Sequence, residues 1–192
     1  MTVRPDSPLG HKPWLKVCGL RTPEQASAVA ALGVDAIGVI AVEASPRWLP
    51  PEARPALFAA VHQSSSRCLG VLVVADPSDA ELPVLGPAGG HQVLQLHGQE
   101  TPERCLQLRN ALGSDLLLWK ALRIRHPEDL QRAVDYGSVV DGLLLDAWVP
   151  DQLGGTGHRI PIEWLNGFEP PLPWWLAGGL TPERVAPALE AL

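Results

Sequence analysis

Three tripeptides, Thr22-Pro23-Glu24, Thr101-Pro102-Glu103 and Thr181-Pro182-Glu183, constrain the architecture of this chain more tightly than any other feature. Proline at the first helical position has no amide hydrogen to waste, and its φ is already helical. The threonine before it offers a capping oxygen, and the acid after it sits where the helix dipole favours negative charge. Each tripeptide therefore reads as a helix start. His126-Pro127-Glu128, Pro50-Pro51-Glu52 and Asp76-Pro77-Ser78 are weaker copies. An apolar, strand-like run precedes each, and the seven runs predicted as strands cover 15–17, 36–40, 68–74, 93–96, 116–121, 140–145 and 174–177. Their nearly continuous apolar character is that of parallel strands covered on both faces. Seven βα units without a Gly/Ser-rich linker point to an α/β barrel or a doubly wound sheet.

The polar residues at the strand tips favour the barrel. By the period of two, Lys16 and Cys18 share one face of the first strand. Gln95 and His97 repeat the arrangement in the fourth, with Lys120 in the fifth and Asp146 in the sixth. A barrel gathers such tips at one mouth, whereas a doubly wound sheet spreads them along an edge. Complete (β/α)8 barrels commonly take about 250 residues, and these 192 residues end inside the seventh helix. The expected fold is thus a (β/α)8 TIM barrel lacking its C-terminal eighth βα unit. It would form a single domain over 14–192 behind a flexible N-terminal tail, 1–13.

Composition narrows the function classes. A content of 46% hydrophobic residues suffices for one core. The net charge of −6, with basic residues scattered rather than clustered, argues against a nucleic-acid partner. No apolar run approaches the roughly 20 residues of a membrane span, and the polar, proline-containing N-terminus lacks a secretory h-region. Cys18, Cys68 and Cys105 are spaced for neither a disulfide framework nor a metal site, which fits reduced thiols in a cytoplasm.

Several residues carry chemistry. Cys18, with Lys16 on its face, is a candidate base or nucleophile, the alternative being a small core side chain. Asp146 is a candidate general acid or, equally, a cap. The segment Gly154-Gly155-Thr156-Gly157 resembles a phosphate loop but is followed by His158-Arg159, which fails the P-loop pattern. Ala177-Gly178-Gly179-Leu180, just before a helix N-terminus, is better placed for phosphate. Arg47, in Ser45-Pro46-Arg47, suits a carboxylate or phosphate, and His97 can ligate, shuttle a proton or satisfy the core. No residue grouping has metal-ligand spacing, and no Ser/His/Asp set stands out.

Seven segments, in order, resemble the phosphoribosylanthranilate isomerase family: Lys16-Val-Cys18-Gly19, Ser45-Pro46-Arg47, Gln95-Leu96-His97-Gly98, Lys120-Ala121-Leu122-Arg123, Leu144-Leu145-Asp146-Ala147, Gly154-Gly155-Thr156-Gly157 and Ala177-Gly178-Gly179-Leu180. The resemblance implies an Amadori rearrangement of N-(5-phosphoribosyl)anthranilate in tryptophan biosynthesis, without cofactor or metal. Cys18 and Asp146 fall on the catalytic pair. Lys16, Arg47, His97, Gly155, Gly178 and Gly179 are the implied substrate-binding residues. The expected partner is a small phosphorylated substrate, with no nucleic acid or membrane, and the protein is expected to be a cytoplasmic monomer or weak homo-oligomer.

The chain departs from the family pattern in three places. It has no Gly-Val-Asp-Val-Ser-Ser-Gly-Val-Glu segment, it carries His158 where a lysine usually stands, and it has Ala41-Val42-Glu43 where an aromatic is common. Two other readings remain open at this point: an inactive truncated barrel serving as a binding or interaction module, and another phosphate-binding barrel isomerase or epimerase.

Overall fold

The computed structural model describes residues 14–147 and 159–190. The tail expected over 1–13, and Gly155 with its loop, lie outside the described residues. The chain divides into two compact units, one spanning Trp14–Trp119 and the other running from Lys120 onward.

The first unit alternates β1 (Lys16–Cys18), α1 (Pro23–Ala31), β2 (Ala36–Ile40), α2 (Arg54–Ser64), β3 (Leu69–Val74), a one-turn α3 (Leu82–Leu85), β4 (Val93–Leu96) and α4 (Pro102–Leu112). Strands β1 to β4 are parallel neighbours in chain order. All five residues of β2 are buried, as both-face coverage requires. Helix α2 turns Leu57, Phe58 and Val61 into the core, and a hydroxyl pair, Ser27 to Ser64 at 2.8 Å, links α1 to α2. Strand β5 (Leu117–Ile124) begins at the end of this unit.

In the second unit, a ten-residue 3-10 helix (Pro127–Tyr136) leads to β6 (Gly142–Ala147). A 3-10 turn (Ile162–Leu165), β7 (Trp174–Leu176) and α5 (Pro182–Glu190) follow. β6 and β7 are parallel, with Leu143, Leu144 and Leu145 opposite Trp174, Trp175 and Leu176.

The three strong start signals place their helices to the residue. α1, α4 and α5 begin at Pro23, Pro102 and Pro182. The Thr22 and Thr101 hydroxyls accept from the Gln25 and Arg104 amides, both at 3.2 Å. The threonine hydroxyls at 101 and 181 are the main reason Glu103 and Glu183 are held below the usual carboxylate range. At Glu24 its own backbone amide contributes most.

The weaker copies give weaker structure. Pro51 opens a 3-10 turn, and α2 starts only at Arg54. Asp76 is no cap: its carboxylate accepts from the Gln99 amide at 2.6 Å, and its backbone has φ 48°. Among the described residues, no helix is long and apolar enough to cross a membrane.

His91 is a core histidine. Its Nε2 donates to the Leu85 carbonyl at 2.9 Å and its Nδ1 is buried without a partner. Burial pushes its pKa below 6.5, the Leu85 bond opposes this, and the Arg54 charge adds to the lowering. A folded imidazole that resists protonation favours the folded state fully above the unfolded pKa. That advantage shrinks as pH falls below about 6.5, where the unfolded chain binds the proton more readily. His91→Phe is therefore expected to flatten the loss of stability between roughly pH 7.5 and pH 5, measured by urea unfolding at both values. An unchanged slope would remove His91 from the acid response.

Candidate active site

The register within the first unit puts its polar side chains on one face. Cys18 stands opposite Gly38, Gly38 opposite Val71, and Val71 opposite Val93. Parallel partners point the same way and residues two apart share a face. Lys16, Cys18, Gln95 and His97 therefore lie on one side of the sheet.

Gly38 makes the Cys18 arrangement possible. A Cβ there would lie 2.5 Å from the Cys18 sulfur and 3.2 Å from Lys16 Nζ, so thiol and ammonium occupy the space above a residue without a side chain. Gly38→Ala is expected to destabilise the fold by about 1–3 kcal/mol through overpacking and to displace both groups. Denaturant unfolding, together with the alkylation rate of Cys18, measures this; an unchanged alkylation rate would mean the thiol position does not depend on the glycine.

Arg47 reaches the same strand tip. Its side chain crosses Gly19, where a Cβ would sit 2.7 Å from Arg47 Cδ, and its Nη1 donates to the Cys18 carbonyl at 3.4 Å. The Ser45 hydroxyl accepts from the Arg47 amide, fixing the loop. Of the three thiols, Cys18 is partly exposed while Cys68 and Cys105 are buried. Burial, helped by Asp35, pushes the Cys68 thiol up to about 11.

At the tips of β3 and β4, Gln95 Nε2 lies 2.9 Å from His97 Nδ1. Just beyond, the buried Glu100 carboxylate accepts from the amides of Asp76 at 2.7 Å and Gly98 at 3.2 Å. That clip ties the ends of β3 and β4 together.

In the second unit, Asp146 is the penultimate residue of β6 and is 5% exposed. Gly178 and Gly179 follow β7 with φ of 87° and 62°, backbone that a residue with a Cβ rarely adopts. The Arg184 guanidinium donates to the Gly179 carbonyl at 3.1 Å. A cavity of about 180 Å³ opens beside the two glycines, with Arg159, Arg184 and the Glu183 carboxylate in its wall. A glycine turn leading into a helix N-terminus, flanked by guanidinium groups, is suited to an anion.

Lys120 differs from its expected place. β5 runs on to Ile124, so Lys120 is mid-strand and 1% exposed rather than at a tip. Among the described residues, no group of three His, Cys, Asp or Glu side chains could hold a metal ion.

The model of the N-(5'-phosphoribosyl)anthranilate isomerase family matches residues 15–192. The chain belongs to this family. It is 46% identical over 182 residues to the N-(5'-phosphoribosyl)anthranilate isomerase of Synechocystis sp., covering 93% of this chain and 81% of that protein. The crystal structure of the phosphoribosylanthranilate isomerase from Thermus thermophilus is 30% identical with a TM-score of 0.73, covering 93% of this chain and 83% of that one. The enzyme from Thermotoga maritima superposes with a TM-score of 0.76 at 23% identity, covering 93% and 82%, and bears on the fold alone. These likenesses bear out the α/β barrel class expected from the strand tips, and they favour the isomerase over the two other readings.

Three residues of this candidate site are not singled out by the sequence. Gly38 is an isolated glycine inside a strand, a known sign of close approach. Glu100 reads as a solvated acid ahead of a helix, and nothing local marks it as buried. Arg184 looks like an ordinary first-turn residue of α5.

Proposed function

We propose that this chain converts N-(5-phosphoribosyl)anthranilate to 1-(2-carboxyphenylamino)-1-deoxyribulose 5-phosphate by acid and base catalysis, a step of tryptophan biosynthesis. The observation that carries the reading is the family match over 15–192, reinforced by 46% identity to a curated isomerase across nearly the whole chain. A fold relative at 22% identity was crystallised with the reduced form of that ketose phosphate.

The residues supply a consistent division of labour. Asp146 protonates the furanose ring oxygen, and the ring opens to a Schiff base. Cys18, as thiolate, takes the proton from C2, leaving an enolamine that tautomerises to the ketose. Arg47 holds the anthranilate carboxylate with its planar fork, while Lys16 and His97 contact the substrate on the Cys18 face. The amides of Gly178 and Gly179 bind the phosphate with Arg184 beside them, and Gly155 is a further substrate-binding residue. The protein works in the cytoplasm as a monomer or weak homo-oligomer.

Turnover of N-(5-phosphoribosyl)anthranilate by the purified chain tests the reading, followed by substrate loss and ketose formation. Binding of the substrate without conversion would overturn it.

A further inference from the structure

Gln95 is 1% exposed, and its two polar atoms have different fates. Its Nε2 lies 2.9 Å from His97 Nδ1, and its Oε1 is buried with no hydrogen-bond partner. Burying an amide oxygen unpaired is destabilising, and an apolar side chain of the same size would avoid it. The nitrogen end must therefore account for the amide.

An amide nitrogen only donates, so Nδ1 accepts, and a neutral imidazole whose Nδ1 accepts carries its proton on Nε2. The reversed amide would put the oxygen at Nδ1 and leave the NH₂ in the place where the oxygen now has no partner. Buried donors without a partner are rarer than under-satisfied carbonyl oxygens, which favours the orientation present. The backbone holds both residues in place: Val73 pairs with Gln95, and the His97 amide donates to the Val74 carbonyl at 2.8 Å. Glu100 fastens the Gly98 amide directly after them.

We infer that Gln95 is a positioning residue of the isomerase reaction, holding His97 as the Nε2–H tautomer so that it meets the substrate as a hydrogen-bond donor. Cys18, on the same face, is then left as the base there. The inference rests on the isomerase reading and specifies how one of its binding residues is set.

Imidazole nitrogen-15 shifts of the full chain test it, with the His97 signals identified by their loss in His97→Gln. The expected parent spectrum has a protonated Nε2 and a bare Nδ1. Gln95→Glu replaces the donor with a carboxylate that only accepts, which should draw the proton to Nδ1 and lower kcat/KM roughly 10- to 100-fold. Gln95→Met keeps the volume and removes the unpaired oxygen. It should leave the Tm equal or higher and still lower kcat/KM, a combination that a merely structural glutamine would not give.

A parent spectrum with the proton on Nδ1, a Gln95→Glu spectrum like the parent's, or parental kcat/KM in Gln95→Met would each overturn the inference. A parent with the expected tautomer but no turnover would instead sink the isomerase reading. If Gln95→Glu does not fold, the parent spectrum and the methionine variant decide.

Discussion

Cys18→Ser is expected to lower kcat by roughly 10²- to 10⁴-fold and to leave KM within a few-fold, the pattern of a group that acts mainly in the transition state. Serine nearly matches the thiol in size, so it fits above Gly38, where a Cβ would lie only 2.5 Å from the sulfur. The variant therefore changes the proton acceptor more than the packing. A hydroxyl is far harder to ionise than a thiol, so in the proposed mechanism proton removal from C2 would lose its base. Steady-state kinetics checks the effect, and an unchanged Tm confirms that the fold is intact. A companion measurement uses the burial contrast among the cysteines. Cys68 and Cys105 are buried, and the Cys68 thiol is raised to about 11, so a thiol reagent near neutral pH should modify Cys18 first and abolish turnover in step. Near-parental kcat in Cys18→Ser would remove Cys18 from the role of base.

What could be read from the sequence follows from how local the physics is. A threonine hydroxyl, a proline and an acid act on a single helical turn, and α1, α4 and α5 begin where those residues put them. The strands were legible for the same reason, since their apolar runs are continuous and short. β5 outruns its predicted end because Leu122 and Ile124 are also buried beyond Lys120. Asp76-Pro77 failed as a start signal because the Asp76 carboxylate is engaged by the Gln99 amide, a contact 23 positions away that local reading cannot see.

The functional face followed the same rule. The period of two placed Lys16 with Cys18 and Gln95 with His97, but bringing the two pairs onto one face requires the register through Gly38, Val71 and Val93. The Glu100 clip and the Arg47 crossing of Gly19 depend on loops meeting in space. Side-chain type could suggest such contacts only after the register was known.

Asp146→Asn is the second large effect. The substitution keeps the shape of the side chain and one acceptor oxygen but removes the acidic proton, so the furanose ring oxygen would leave without general acid assistance. The expected loss in kcat is roughly 10²- to 10⁴-fold, with KM changed little. The competing role, a structural acid at the end of a strand, makes a different prediction. Asp146 is 5% exposed in β6, whose six residues are all buried, and a carboxylate needed mainly for the fold would show its loss in stability. An asparagine there would then lower the Tm while the folded fraction kept its turnover per molecule. Measuring kcat on correctly folded protein beside thermal unfolding separates the two. A large fall in kcat at parental Tm supports the acid, whereas a fall in Tm with kcat within a few-fold of the parent would assign Asp146 to structure. Asp146→Glu sharpens the comparison, because it restores the proton on a longer arm. As an acid displaced by one methylene, it should recover part of the lost kcat, and recovery below that of asparagine would contradict proton donation from this position.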